Sequence, residues 1–166
     1  MMPEVSKKYL QTLYQASEVR EVWEAGQNEK LINHPKFGWI SPNEFRQKYD
    51  RKPCPFCGKR MVHGKLRHAT NSKQEAIARG YEYINSKGQE YINRAGSCYF
   101  HPNYVTLDHK LNKARCPELL FDADNLQAMC WKCNQEKGDN NNFEVEHTSN
   151  FISDLAREAL ERYPLL

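Results

Sequence analysis

The chain has 166 residues, 39% of them apolar, with 24 Lys and Arg against 21 Asp and Glu. That size supports one modest core with flanking elements and argues against two domains of equal weight. A mean hydropathy of −0.88, with no apolar run near the roughly 18 residues a span requires, points away from a membrane protein.

The opening residues, MMPEVSKKYLQ, lack the apolar core of a signal peptide, so a cytoplasmic chain is expected, with its six cysteines outside disulfides. Apolar residues at Leu10, Leu13, Tyr14, Val19, Val22 and Trp23 follow helical spacing and predict one helix from Ser6 to about Ala25, stopped by Gly26. Ser41, Pro42 and Glu44 form the cap, first-turn proline and capping-box acid of a short helix reaching about Tyr49. Charge then becomes uneven. Arg51, Lys52, Lys59, Arg60, Lys65, Arg67 and Lys73 are seven bases in a stretch, 51–74, without one acid. A solvated face explains many such runs; wrapped around a Cys-x-x-Cys, this one is read as a phosphate-contacting surface. His63 and His68 fall within it and are expected to meet phosphate or solvent.

A second capping box, Ser72 to Glu75, predicts a helix closing at Gly80. The repeated EYIN at 82–85 and 90–93, on either side of SKGQ, reads as a hairpin whose tyrosines are half-buried, with base stacking the lesser reading. NYVTLD and NLQAM read as strands. SNFISDLAREALERY places Phe151, Ile152, Leu155, Ala159 and Leu160 along one side of an acidic amphipathic helix expected to pack on the core. His34 and His147 are placed in loops without a role.

Cys54-Pro-Phe-Cys57 and Cys130-Trp-Lys-Cys133 are a matched pair of Cys-x-x-Cys elements. Two such knuckles supply four thiolates to one tetrahedral zinc, which leaves no vacancy for substrate, so this metal is read as structural. Cys98, three residues before His101, and Cys116 are expected to be buried or free thiols.

Asp108-His109, then Asn125, then Cys130, Cys133, Asn134 and Lys137 resemble the signature of the HNH endonucleases, the zinc-knuckle members of the ββα-metal fold, with Cys54 and Cys57 as the usual upstream knuckle. The likeness covers about a quarter of the chain; residues 1–50, about 61–100 and the tail lie outside it. It implies an α+β fold: a small ββα-metal core with a structural four-cysteine zinc site, flanked by N- and C-terminal helices. The corresponding organisation is a helical extension over 1–50, a zinc-stapled nuclease core over 51–140 with an inserted helix and hairpin at about 61–100, and an amphipathic helix over 141–166.

The resemblance further implies a metal-dependent endonuclease acting on DNA. His109 is then the general base, Asn125 holds the loop that orients it, and Asp108 with Asn134 holds the catalytic cation. Lys137, one turn beyond Asn134 on the same helix face, is expected to reach phosphate. Many members carry His at the third motif position. Asn134 offers a harder oxygen donor there, which favours Mg2+ or Mn2+ with retained waters. RNA stays open as substrate because the site chemistry does not ask for a 2′-deoxy sugar. Two rival settings share these residues: an effector of an anti-phage system controlled by a regulatory protein, and a zinc-ribbon nucleic-acid binder with an inert site. Concerted cleavage of both strands would call for a homodimer. A prokaryotic or phage origin suits the family.

Overall fold

A computed structural model describes residues 5–13, 15–138 and 143–162, with α-helices and short antiparallel strands mixed along the chain. The single N-terminal helix expected from 6 to 25 is two: α1 (Lys7–Leu10) and α2 (Ala16–Ala25). Ser6 caps the first through the Tyr9 N–H, and the Thr12 hydroxyl donates to the Tyr9 carbonyl and closes it after one turn. The Gln15 N–H donates to Glu18, whose side chain starts the second helix. The break lets α1 pack on a 3-10 turn at Pro117–Leu119, with Leu10 joining Val19 and Trp23 in the main core. Tyr14 lies outside the described residues. Gly26 is the C-cap of α2, and a side chain does not fit there, since a Cβ would meet the Phe121 ring at 2.9 Å.

A hairpin follows, β1 (Ile32–His34) with β2 (Gly38–Ile40). His34 therefore ends a strand and does not lie in a loop; its Nδ1 accepts from the Lys36 and Phe37 N–H groups and shapes the turn. Helix α3 (Pro42–Lys48) forms where its cap predicts, with Ser41 accepting from the Glu44 N–H at 3.1 Å and Phe45 driven into the core.

The insertion holds α4 (Lys65–His68), β3 (Ala69–Thr70), α5 (Lys73–Ala78), β4 (Tyr83–Ile84), β5 (Glu90–Tyr91), β6 (Asn93–Ala95) and β7 (Cys98–Phe100). Ser72 caps α5 through Glu75, and β4 pairs with β5 as the repeated EYIN suggests, with Tyr83 and Tyr91 half-buried edge to face. The sheet β3-β7-β6 has no counterpart in the sequence reading. Ala76, Tyr81 and Ile92 form a small core of their own beneath it.

The centre is an antiparallel pair, β8 (Val105–His109) and β9 (Leu126–Cys130), in which Asp108 faces Gln127 and His109 faces Leu126. Helix α6 (Trp131–Lys137) begins directly after β9 and packs on both strands. Val105, Leu107, Met129, Met61, Phe45 and Ile32 belong to the one core that joins this unit to the N-terminal elements.

The tail forms α7 (Phe143–Arg162), which includes His147 and so removes it from a loop. Residues 152–162 are all exposed, among them Ile152, Leu155, Ala159 and Leu160, so the expected packing of that face on the core is not found. Local pairs, Asp154–Arg157 and Glu158–Arg162, run along the helix instead. The Phe151 side chain lies outside the described residues. No helix among the described residues is long and apolar enough to cross a membrane.

Candidate metal centre and adjoining cavity

Cys54, Cys57, Cys130 and Cys133 converge, their four sulfurs within 4.8 Å of one another. The Cys57 and Cys130 sulfurs are 3.7 Å apart. A regular tetrahedron with Zn–S bonds of about 2.3 Å has edges of roughly 3.8 Å, so the spacing suits zinc. Backbone geometry makes each knuckle. Gly58, at φ +72°, closes the first by donating its N–H to the Cys54 carbonyl. In the second, Cys130 is the N-cap of α6 and its sulfur accepts from the Cys133 N–H. Without a cation these thiols cannot all ionise. Hydrogen bonds from Cys130 and Cys133 hold the Cys54 thiol far below its usual range. The bond to Cys133 lowers the Cys130 thiol, but its bond to Cys54 and its burial together outweigh that and push it up to about 12, while Cys133 is pushed up through its bonds to both. A dication removes that conflict. The four cysteines are positioned to bind a metal ion.

The cluster sets the start of α6 and thereby places Asn134 and Lys137 against β8. The Asn134 Nδ2 donates to the Thr106 hydroxyl at 3.0 Å, and that hydroxyl donates to the Met129 carbonyl at 2.8 Å. Since the Thr106 proton is spent on a carbonyl, Thr106 can only accept from Asn134. This fixes the amide: nitrogen to Thr106, oxygen turned away from it. One turn later, Lys137 does not point outward toward phosphate. Its side chain is buried, with Nζ at 2.5 Å from Asp108 Oδ2 and 3.1 and 3.3 Å from the carbonyls of His109 and Lys110. Gln127 Nε2 also donates to Asp108 Oδ2, at 3.0 Å.

His109 leaves the opposite face of β8, as strand alternation requires. It is 8% exposed, with its ring edge-to-face on Trp23 at 4.6 Å. Its Nε2 lies 3.0 Å from the Leu120 carbonyl. A carbonyl only accepts, so Nε2 carries the proton and Nδ1 the lone pair. Burial drives the imidazolium pKa down to about 4; the Leu120 carbonyl opposes this, and Lys113, Lys137 and Arg46 add to it. The ring is therefore neutral at pH 7.

Asn125 fastens the chain just beyond His109. Its Oδ1 accepts from the Leu111 N–H at 2.9 Å, its Nδ2 donates to the Leu111 carbonyl at 3.4 Å, and its own carbonyl accepts from the Lys110 N–H at 2.8 Å.

Asp108, His109, Asn134 and Lys137 all line one open cavity of about 1050 Å3. Its far wall comes from the N-terminal helices, through Arg20 and Glu24 on α2 and Arg46 on α3. Arg46 escaped the sequence reading. Its guanidinium donates to Asn43 Oδ1 at 2.7 Å, and burial lowers its pKa to about 10. Nothing in the α3 sequence sets it apart from Lys48; only the turn of chain that brings α3 onto β8 reveals it. Lys113 lines the same cavity and was also missed. Of the seven bases from 51 to 74, all exposed, Lys65 lines the cavity, beside a half-buried His63. Arg51, Lys52, Lys59, Arg60, Arg67 and Lys73 are not among its lining residues. His68 is half-buried, its ring near that of His101.

Cys98 donates its thiol to Asn71 Oδ1 at 3.0 Å, and His101 Nδ1 accepts from the Asn103 N–H, so neither joins the thiolate cluster; Cys116 likewise stands apart. The chain matches no family model, no curated protein and no solved structure.

Proposed function

We propose that the protein is a metal-dependent endonuclease of the HNH type, hydrolysing phosphodiester bonds of DNA, with a ββα-metal core and zinc held by Cys54, Cys57, Cys130 and Cys133. The observation that carries the reading is His109. A buried, neutral imidazole with Nε2 committed to the Leu120 carbonyl has its lone pair on Nδ1, and the residue borders the cavity that Asp108 and Asn134 also line.

The donors near that cavity suit a hard divalent cation. Asn134 turns its amide oxygen away from Thr106, and Asp108 supplies a carboxylate. One carboxylate and one amide oxygen match Mg2+ or Mn2+ with retained waters better than zinc. The Lys137 ammonium already shares the Asp108 charge, which makes this a modest site. When bound, the cation neutralises charge on the phosphate and on the leaving 3′ oxygen.

The chain's own groups do the rest. His109 Nδ1 takes a proton from water as its oxygen bonds to phosphorus in line with the departing 3′ oxygen, and that oxygen is protonated from solvent. The products are 5′-phosphate and 3′-hydroxyl ends. Arg46, Lys113 and Lys65 line the cavity and hold the phosphate chain there. Asn125 keeps residues 110–111, and with them the end of β8, in register.

Conversion of supercoiled plasmid tests the reading. Mg2+-dependent nicking by wild type, absent with His109→Ala, is expected. A folded, zinc-loaded wild type that leaves both plasmid and RNA intact would overturn it in favour of an inert binding module.

A further inference from the structure

Leu66 is 100% exposed. A lone apolar side chain in water is ordinary and by itself carries nothing. Its setting is what differs. Leu66 lies in α4, a single turn in which no residue is buried, between the exposed cations Lys65 and Arg67 and within a stretch free of acids. The turn is also held firmly. Val62 is bonded to both sides of the β8 entry, accepting from the Val105 N–H at 2.9 Å and donating to the Asn103 carbonyl at 3.1 Å. Gly64, at φ +110°, donates its N–H to the Tyr104 hydroxyl at 3.1 Å. At the other end the His68 carbonyl accepts from the His101 N–H at 3.0 Å. The stem is fixed to the residues that lead into Asp108 and His109, while the tip buries nothing. Lys65, on its flank, lines the cavity that holds those two residues.

From this we infer that Leu66 is a wedge that enters a base step of duplex DNA, with Lys65 and Arg67 on the phosphates to either side. The inference rests on the nuclease reading and adds how the duplex is gripped. Apolar wedges of this size partly unstack a step and bend the duplex, and flanking cations keep the backbone in place while they do so. Pyrimidine–purine steps such as TpA yield most readily. A rigid stem is what the task needs, because a flexible loop would fold its leucine back onto the protein.

The test uses full-length, zinc-loaded His109→Ala protein, which binds without cutting, and a duplex of alternating TpA steps carrying 2-aminopurine in place of several adenines. Binding is followed by anisotropy and unstacking by 2-aminopurine fluorescence in the same titration. A several-fold fluorescence rise on binding is expected with Leu66. Adding Leu66→Ala should abolish the rise, weaken binding by about tenfold and leave the salt dependence unchanged. An equal rise with Leu66→Ala, or binding without any rise in either protein, would overturn the wedge and leave the nuclease reading standing. No duplex binding even at low salt would overturn both.

Discussion

The Lys137 ammonium sits 2.5 Å from Asp108 Oδ2, with the two side chains only 2% and 7% exposed. A buried pair of this kind contributes little net stability when intact, but removing one partner strands the other charge. Lys137→Met should therefore cost about 3–5 kcal/mol in urea unfolding without divalent cations. Millimolar Mg2+ should recover part of that loss, because the same carboxylate then takes the cation. An equal loss with and without Mg2+ would separate Asp108 from any metal.

The thiolate centre sets the first turn of α6, so its metal is expected to be required for the fold. Binding of structural zinc is worth about 10–16 kcal/mol, comparable to or above the whole stability of a typical domain. Prolonged chelation, or Cys133→Ser, should collapse the near-ultraviolet circular dichroism and release one zinc per chain by mass spectrometry. Native spectra from zinc-free protein would contradict this.

His109 gives a pH signature. Its folded pKa of about 4 lies below the ordinary 6.5 because the ring is buried. The unfolded chain thus binds more protons between those values, and stability is lost as pH falls from 6.5 through 4, by about 3 kcal/mol. Urea midpoints at pH 7.5 and 4.5 should show a smaller acid loss for His109→Gln than for wild type. Equal losses would mean that other groups carry the acid sensitivity. The same shift keeps the imidazole unprotonated well below neutrality.

Arg46→Ala should lower cleavage by about 10- to 100-fold, the scale of one hydrogen bond to a charged group, while unfolding changes little. Its side-chain hydrogen bond is to Asn43, within its own helix. Unchanged single-turnover cleavage would remove Arg46 from the site. Lys48→Ala, on the same helix but not among the cavity lining residues, serves as the control.

The sequence made plain what is local or is encoded by paired motifs. Ser41 and Ser72 announce their helices because a cap is satisfied within three residues, and two Cys-x-x-Cys elements need each other whatever lies between them. Asn125 and Asn134 stand out only through the resemblance to the HNH signature, since a lone Asn is ordinarily a cap or turn residue. The direction of Lys137 is not legible in the sequence. Helical spacing puts it on the face of Asn134, but whether that face meets solvent or β8 is a tertiary fact. Arg46 was hidden for the same reason, since its meaning depends on α3 crossing the end of β8. At the N-terminus, continuous apolar spacing conceals the turn that Thr12 closes and the restart at Glu18. The apolar side of α7 was read as core-facing, yet residues 152–162 remain exposed.

The claim that one metal builds the site and His109 does the chemistry is tested most directly by single-turnover cleavage of end-labelled duplex, with zinc quantified in the same preparations of wild type, His109→Ala and His109→Gln. Glutamine can still donate to the Leu120 carbonyl but offers no base at Nδ1. The account predicts full zinc in all three proteins and a loss of about 10²- to 10⁴-fold in cleavage for both variants. Cleavage that survives in His109→Gln, or zinc that is lost together with activity, would contradict it.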